Sequence, residues 1–379
     1  MKKKKILLCL GTRPDAIKMC PLYLRLRENP NLETYILSSG QHREMTDEVL
    51  DFFSVRADFD LEIMKKGQSP SYVVSKILEK APPLLDRVSP DLVLVHGDTA
   101  TALGCALAAH ENKIPVGHVE AGLRSGDITS PFPEEGYRKR ITELSAVHFA
   151  PSESARNNLL AEGVSADNIY VTGNTVIDAM LYARENSNKI CADVKNIDYE
   201  KPLVLLTCHR RENLGDGAAQ LFSAVKRLLC DFDSLSVLFP MHKNEQIRAA
   251  YANAKITNTR MLVCEPLDYA SFLYAMQRCR FIISDSGGVA EEAAYLGKPT
   301  VIARDKTERT EAISEGPALL CGTDTRKIYE TGAVLLTDTD FYRSVAMRRY
   351  EYGDGYACKR IESAVADHFK KRADREKDK

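Results

Sequence analysis

Short apolar runs alternate with longer segments of helical spacing along the whole chain. Runs such as residues 6–10 and 116–119 have the length and aliphatic content of buried strands, whereas residues 101–111 and 152–162 follow the helical period. Strands that alternate with helices predict parallel sheets covered on both faces. The predicted strands are residues 6–10, 35–37, 92–95, 116–119, 147–150, 169–171, 203–206, 237–239, 261–263, 281–283, 300–302 and 318–320.

The alternation occurs twice, and a polar stretch separates the two series. Residues 185–201 contain few large apolar side chains and many Asn, Lys and Asp residues, as is typical of a linker. A chain of 379 residues also exceeds the size at which a single core usually divides. We therefore predict an α/β fold with two Rossmann-like domains facing a central cleft, at residues 1–172 and 173–359. A C-terminal helix at about 360–379 is expected to pack back on the first domain.

A tight turn, Ser284-Asp-Ser-Gly-Gly288, stands between a predicted strand and an Ala/Glu-rich helix. The free N–H groups and the dipole at a helix N-terminus both favour an anion. Glu292, one turn into the helix, can accept hydrogen bonds from sugar hydroxyls. Phosphate and sugar together indicate a nucleotide, although neither common Gly-rich nucleotide motif occurs. An ordinary strand-to-helix loop is the alternative interpretation.

Ionisable residues follow several predicted strands in both halves, where open parallel sheets bind their ligands. Each one alone is typical of a solvated loop, but their repeated position at strand ends indicates a shared polar site. Carboxylates beside a sugar ring can act as general base and acid, and cations can stabilise a departing diphosphate. The candidates are the carboxylates Asp98, Glu120 and Glu134 with the cations Arg13, Lys18 and Arg138 in the first half, and His209 and Arg210 in the second.

Composition excludes several other classes of protein. The net charge of −1 favours neither nucleic acid nor anionic membranes as a partner, and no apolar run has the length of a membrane span. Ten cysteines are scattered without a C-x-x-C pair, and no H-E-x-x-H or G-x-S-x-G motif occurs. We expect a cytoplasmic enzyme that uses no metal and no other cofactor.

Eight motifs together resemble one known family. They are G-T-R-P-D-A-I-K-M, Q-H-R-E-M, V-H-G-D-T, H-V-E-A-G-L-R-S, P-F-P-E-E, C-H-R-R-E-N, S-D-S-G-G-V and T-E-R-T-E. In order and spacing they are similar to those of the non-hydrolysing UDP-N-acetylglucosamine 2-epimerases, from about Lys4 to the C-terminal helix. The resemblance implies the GT-B (glycosyltransferase-type) fold and a homodimer. It also implies conversion of UDP-GlcNAc to UDP-ManNAc through elimination of UDP and re-addition to 2-acetamidoglucal.

The resemblance also implies roles for individual residues. Asp98, Glu120 and Glu134 would transfer protons, while Arg13, Lys18 and His209 would face the diphosphate. Ser286, Gly287, Gly288 and Glu292 would bind phosphate and ribose. Some family members have a second, activating UDP-GlcNAc site, which would lie near Gln41 and His42 in this chain.

The chain departs from the usual family pattern at Asp15, Tyr137, Lys243, Ala290 and Thr310. Tyr137 stands where the family usually has Asn, so these changes concern the surroundings of the sugar. Four alternatives therefore remain at this stage: an epimerase acting on a related UDP-2-acetamido sugar, a UDP-sugar-binding paralogue without turnover, a GT-B glycosyltransferase, and a hydrolysing epimerase.

Overall fold

The computed structural model describes residues 3–129, 131–186, 190–208, 216–305, 317–350 and 352–377. The chain divides into two compact units, Met1–Tyr182 with Glu351–Lys379, and Ala183–Tyr350. Each unit contains one parallel sheet, which confirms the predicted α/β fold with two Rossmann-like domains. In the described ranges, no helix has the length and apolar character needed to cross a membrane.

The strands of both sheets are short and largely buried. The first unit contains β1 Lys4–Leu10, β2 Leu32–Ser38, β3 Phe59–Asp60, β4 Leu92–His96, β5 Val116–Val119, β6 Val147–Ala150 and β7 Ile169–Val171. The second contains β8 Leu203–Thr207, β9 Ser236–Pro240, β10 Met261–Cys264, β11 Phe281–Ser284, β12 Thr300–Ile302 and β13 Ala318–Leu320. Five predicted strands have the observed bounds, six are extended by one to four residues in total, and β1 begins two residues earlier than predicted. The two-residue strand β3 was not predicted.

The described helices follow the strands in the alternating order that the sequence predicts. They are α1 Arg13–Arg27, α2 Arg43–Phe52, α3 Pro70–Lys80, α4 Pro82–Val88, α5 Ala100–Glu111, α6 Glu134–Leu144, α7 Glu153–Ala161, α8 Thr175–Asn186, α9 Ala192–Lys195, α10 Asp216–Asp231, α11 Glu245–Ala254, α12 Tyr269–Arg278, α13 Gly287–Leu296, α14 Thr325–Thr337, α15 Thr339–Val345 and α16 Ala357–Lys377. A 3₁₀ turn spans Ala166–Asn168. The polar stretch at 185–201 thus contains a short helix, α9, within the predicted linker.

Both sheets have a point at which the strand order reverses. The first sheet runs β3-β2-β1-β4-β5-β6-β7 and the second runs β10-β9-β8-β11-β12-β13. The order therefore changes direction between β1 and β4 in the first sheet, and between β8 and β11 in the second. Ligands of such sheets bind beyond the carboxyl ends of the strands at this reversal.

The C-terminal helix α16 belongs to the first unit. Asp178 on α8 accepts hydrogen bonds from the backbone N–H groups of Ala357 and Cys358, at 3.2 and 3.0 Å, and so caps the start of α16. Further along α16, Glu362 accepts a hydrogen bond from Arg25 Nε on α1 at 2.6 Å. A carboxylate at a helix N-terminus satisfies free N–H groups and complements the dipole. These contacts hold α16 against α1 and α8.

Candidate functional site

Charged residues of the first unit meet where β1 and β4 end. Thr12 caps α1 in a capping box, accepting a hydrogen bond from the Asp15 N–H while its own N–H donates to Asp15 Oδ2 at 3.3 Å. Thr99, just after β4, donates its hydroxyl to the same oxygen at 3.2 Å. Asp15 is therefore a buried carboxylate fixed by two segments, and it sets the start of the helix that carries Lys18.

Glu120 is the centre of this cluster. Its Oε2 accepts hydrogen bonds from Lys18 Nζ and from Asn174 Nδ2, the latter at 2.6 Å. The Glu120 backbone has φ +63°, a left-handed conformation that is uncommon and strained for a residue other than glycine. Such strain persists only where the surroundings enforce it, so the contacts of the loop after β5 hold the Glu120 carboxylate in this orientation. The resemblance assigns Lys18 to the diphosphate, whereas in this structure the Lys18 ammonium binds Glu120.

Three histidines at this end of the sheet are buried in different environments. Burial alone would lower the pKa of His96, but the carboxylates of Glu120 and Asp15 raise it to about 9. Burial lowers the pKa of His118 to about 3, and that of His148 to about 4. The His118 ring contacts the carbonyl oxygen of Gly97 through Nε2 at 2.8 Å. The pKa shifts of the three rings thus run in opposite directions, upward for His96 and downward for His118 and His148.

Asp98 forms an ion pair with a residue of α6, the first helix after β5. Arg138 on α6 pairs with Asp98 Oδ2 at 2.5 Å through Nη2, and with Glu135 Oε2 at 2.7 Å through Nη1. Glu135 is fully buried and also accepts a hydrogen bond from the Ser125 N–H at 3.1 Å. Arg138, which was predicted to bind substrate, thus holds the Asp98 carboxylate in place through an ion pair.

Glu134, the third predicted carboxylate, is the first residue of α6. Its Oε2 is buried, and no described residue provides a hydrogen bond to that atom. Tyr137, one turn further on, is half-buried; burial and then the charge of Glu134 raise its pKa. The phenol that stands in place of the family's usual Asn therefore lies near this carboxylate.

The second unit presents a helix N-terminus at the end of β11. Ser286 precedes α13, and its side chain makes no capping hydrogen bond. A Cβ added at Gly288 would meet no atom of the described residues within 4 Å, so those residues leave space beside the first turn. Glu292 is buried, and its Oε1 accepts a hydrogen bond from the Tyr269 hydroxyl at 2.8 Å. Gly287 completes the turn, and the arrangement suits a phosphate with a sugar hydroxyl one helical turn away.

The segment proposed for an activating ligand lies against the loop after β1. The His42 N–H donates to the Gly11 carbonyl at 2.9 Å. Gln41 Oε1 accepts a hydrogen bond from Thr101 at 2.8 Å, and Gln68 donates to the Gln41 carbonyl at 2.7 Å. Gly11 lies two residues before Arg13, which is predicted to face the diphosphate. The segment with Gln41 and His42 therefore contacts the loop that leads to Arg13.

Some predicted residues and departures fall elsewhere. His209, Arg210 and Thr310 lie outside the described residues. Ala290 is buried on α13, and Lys243 is exposed. The described residues contain no group of three or more His, Cys, Asp or Glu side chains arranged to hold a metal ion.

Five residues without a predicted role lie at the candidate site in the structure. The pairing of Asp15 with His96 depends on the packing of α1 against β4, which no local sequence pattern shows. The signal that could have identified His96 is a polar residue that directly continues the fully apolar run of β4. The five residues are Asp15, His96, Glu135, Asn174 and Tyr269.

The two α/β units, each with one parallel sheet, have the fold of GT-B-type enzymes. One unit contains a buried set of carboxylates and cations, and the other contains a helix N-terminus beside a carboxylate. A glycosyltransferase from Streptomyces nogalater shares this fold, with a TM-score of 0.54 and 13% identity over 96% of this chain and 95% of its own.

Closer relatives identify the family. The family model for UDP-N-acetylglucosamine 2-epimerase matches residues 24–366, and the chain belongs to this family of isomerases. A UDP-N-acetylglucosamine 2-epimerase of Bacillus subtilis is 43% identical over 97% of both chains. The Neisseria meningitidis epimerase bound to UDP-GlcNAc has a TM-score of 0.92 at 39% identity, over 96% of this chain and all of its own. The Methanocaldococcus jannaschii enzyme, in complex with UDP-GlcNAc and UDP, has a TM-score of 0.84 at 29% identity, over 96% and 99% of the two chains.

Proposed function

We propose that this protein interconverts UDP-GlcNAc and UDP-ManNAc by inverting carbon 2 of the sugar. The observation that carries the proposal is the buried cluster around Glu120, in which Lys18 and Asn174 hold one carboxylate oxygen at the end of β5. Asp98 and Glu134 belong to the same unit and follow β4 and β5. A C2 inversion needs proton transfer on two faces of the ring, and fixed carboxylates serve this purpose without a cofactor.

The proposed reaction begins with loss of the proton from carbon 2. The electron pair of that C–H bond forms the C1=C2 double bond, and the C1–O bond breaks with its pair leaving on UDP. The products of this step are 2-acetamidoglucal and UDP. In the second step UDP re-adds to carbon 1, and a proton is delivered to the other face of carbon 2. Because the C–H group is a weak acid, we propose that its loss is coupled to departure of the good leaving group.

The fixed pairs in the first unit support this chemistry. Asp98 is oriented by Arg138 and Glu120 by Lys18 and Asn174, so neither carboxylate must reorganise when substrate binds. Such preorganisation is a large source of rate enhancement. Glu134 differs because its buried Oε2 has no described partner, which leaves that oxygen open to a proton or a substrate group.

We assign binding of the nucleotide to the second unit. The N-terminus of α13, with Ser286, Gly287 and Gly288, suits a phosphate, and Glu292 suits the ribose hydroxyls. The Tyr269 hydroxyl donates a hydrogen bond to Glu292 Oε1, and this bond fixes the orientation of the Glu292 carboxylate. Arg13, His209 and Arg210 are proposed to stabilise the negative charge that develops on UDP as it departs.

Proton NMR in heavy water tests the proposal. The purified protein, incubated with UDP-GlcNAc without added nucleotide cofactor or metal, should produce a UDP-ManNAc anomeric signal, with deuterium entering at carbon 2 of both epimers. Free ManNAc with UDP would instead indicate hydrolysis. UDP binding without any conversion would contradict the proposed substrate, and related UDP-2-acetamido sugars with a Tyr137→Asn variant would then separate altered specificity from lost turnover.

A further inference from the structure

The His96 side chain lies between two carboxylates at the carboxyl end of β4. Its Nδ1 is 3.4 Å from Asp15 Oδ1, and its Nε2 is 3.5 Å from Glu120 Oε2. The three side chains are only 4%, 3% and 8% exposed. No described residue makes a conventional hydrogen bond to either ring nitrogen, and each nitrogen faces one of these two carboxylates.

This geometry discriminates between the protonation states of the ring. A neutral imidazole has one N–H donor and one lone pair, whichever tautomer forms. Because both nitrogens face carboxylate oxygens, either neutral tautomer would direct a lone pair at a negative oxygen. The doubly protonated imidazolium directs an N–H at each carboxylate and avoids that repulsion.

The charges around the ring agree with this assignment. From α1, Asp15 and Lys18 face the cluster, and from the loop after β5 Glu120 does so. The neighbouring His118 on β5 is neutral, since burial lowers its pKa to about 3. Among the described side chains named here, a protonated His96 and Lys18 face two carboxylates, whereas a neutral His96 would leave one cation facing two carboxylates, which is costly when buried.

We propose that His96 is a positioning residue, a buried imidazolium that ties Glu120 to the start of α1 and so aligns Glu120 for proton transfer. The inference rests on the proposed function for the role of Glu120, but the charge state of His96 does not. Gly97 follows at φ +59° and leads to Asp98, so the same ring also anchors the loop that carries a second carboxylate. The raised pKa of His96, about 9, agrees with the geometry.

The charge state can be read directly, without substrate. Protein labelled with ¹⁵N in its eight histidines is studied by long-range ¹H–¹⁵N correlation NMR at pH 7.5, and the pH is then raised. We expect His96 to show two protonated nitrogens that titrate near pH 9, while His118 and His148 stay neutral as internal controls. A neutral His96 at pH 7.5 would overturn the proposal, whether or not UDP-GlcNAc is the substrate.

Two variants extend the test. Asp15→Asn removes one of the facing carboxylates and should move the His96 titration to lower pH, which also assigns its signal. His96→Gln should reduce kcat at least tenfold while the Kd for UDP changes less than twofold. We expect wild-type kcat to fall above about pH 9, and this fall should be absent in His96→Gln. An unchanged His96 titration in Asp15→Asn, or a His96→Gln enzyme with wild-type kcat, would contradict the positioning role. If His96→Gln does not fold, the Asp15→Asn titration decides the question alone.

Discussion

Replacing Glu135 with Gln tests the buried ion pair behind Asp98. Glu135 and Arg138 are three residues apart on α6, 1% and 5% exposed, and joined at 2.7 Å. Ser125 and Arg138 donate to the same Glu135 oxygen, so the amide oxygen of Gln can still accept both bonds, but the negative charge that pairs with Arg138 is lost. The buried amide also places N–H donors where Glu135 Oε1 has no described hydrogen-bond partner. Breaking a buried pair costs about 3–5 kcal/mol when it strands a charge, but Arg138 retains Asp98, so we expect a smaller loss of about 2 kcal/mol.

The same helix provides a matched control. Arg140 and Glu143 have the same spacing and a 2.6 Å contact, but they are 54% and 63% exposed. Glu143→Gln should therefore cost about 0.3–0.5 kcal/mol or less, because solvent screens the pair. Urea unfolding of the three proteins, compared through the midpoint and slope of the transition, gives the free energies. If Glu135→Gln and Glu143→Gln destabilise the protein equally, burial does not strengthen this pair and the reasoning is refuted.

Three further substitutions test other parts of the structure. Gly122→Ala should destabilise strongly, because the new Cβ would lie 2.2 Å from a backbone oxygen of α7. Gly126→Ala, also left-handed at φ +75°, would meet no atom of the described residues within 4 Å, so thermal melting should separate the two variants by well over ~1 kcal/mol. Tyr269→Phe should weaken UDP binding about tenfold by calorimetry, since it releases the carboxylate proposed for ribose, while Tyr274→Phe on the same helix should not. Because burial lowers the pKa of His118 to about 3, the unfolded chain binds a proton below about 6.5 that the folded protein excludes. Stability should fall as pH decreases from about 6.5 towards 3, and His118→Gln should show a shallower fall; parallel curves would contradict this.

The strand bounds could be predicted from the sequence where neighbouring residues along the chain determine them. Runs such as Val116–Val119 and Thr300–Ile302 begin directly after a proline, and a charged residue follows each within two positions, so their bounds follow from the local pattern alone. The strand β3 was missed because Phe59–Asp60 has too few residues to form a pattern, and its pairing with β2 decides its conformation.

The site could be predicted only in part for a related reason. Strand ends indicated Asp98, Glu120 and the Ser286 turn, because parallel strands bring their carboxyl ends to one edge. Asn174 binds Glu120 and Tyr269 binds Glu292. Each partner lies far in sequence from the carboxylate that it fixes, and neither has a periodic signal. Such contacts depend on how whole helices pack on the sheet, which residue spacing does not encode.

In the proposed reaction, the bond between the sugar and UDP breaks during epimerisation. UDP-GlcNAc labelled with ¹⁸O at the bridging oxygen between carbon 1 and the phosphate tests this step, with ³¹P NMR following the label during turnover. We expect the label to move into non-bridging positions of the same phosphate, because free rotation of the released diphosphate makes its oxygens equivalent before re-addition. Epimerisation with deuterium entering at carbon 2 while the label stays in the bridge would contradict elimination and require a carbanion at carbon 2 instead.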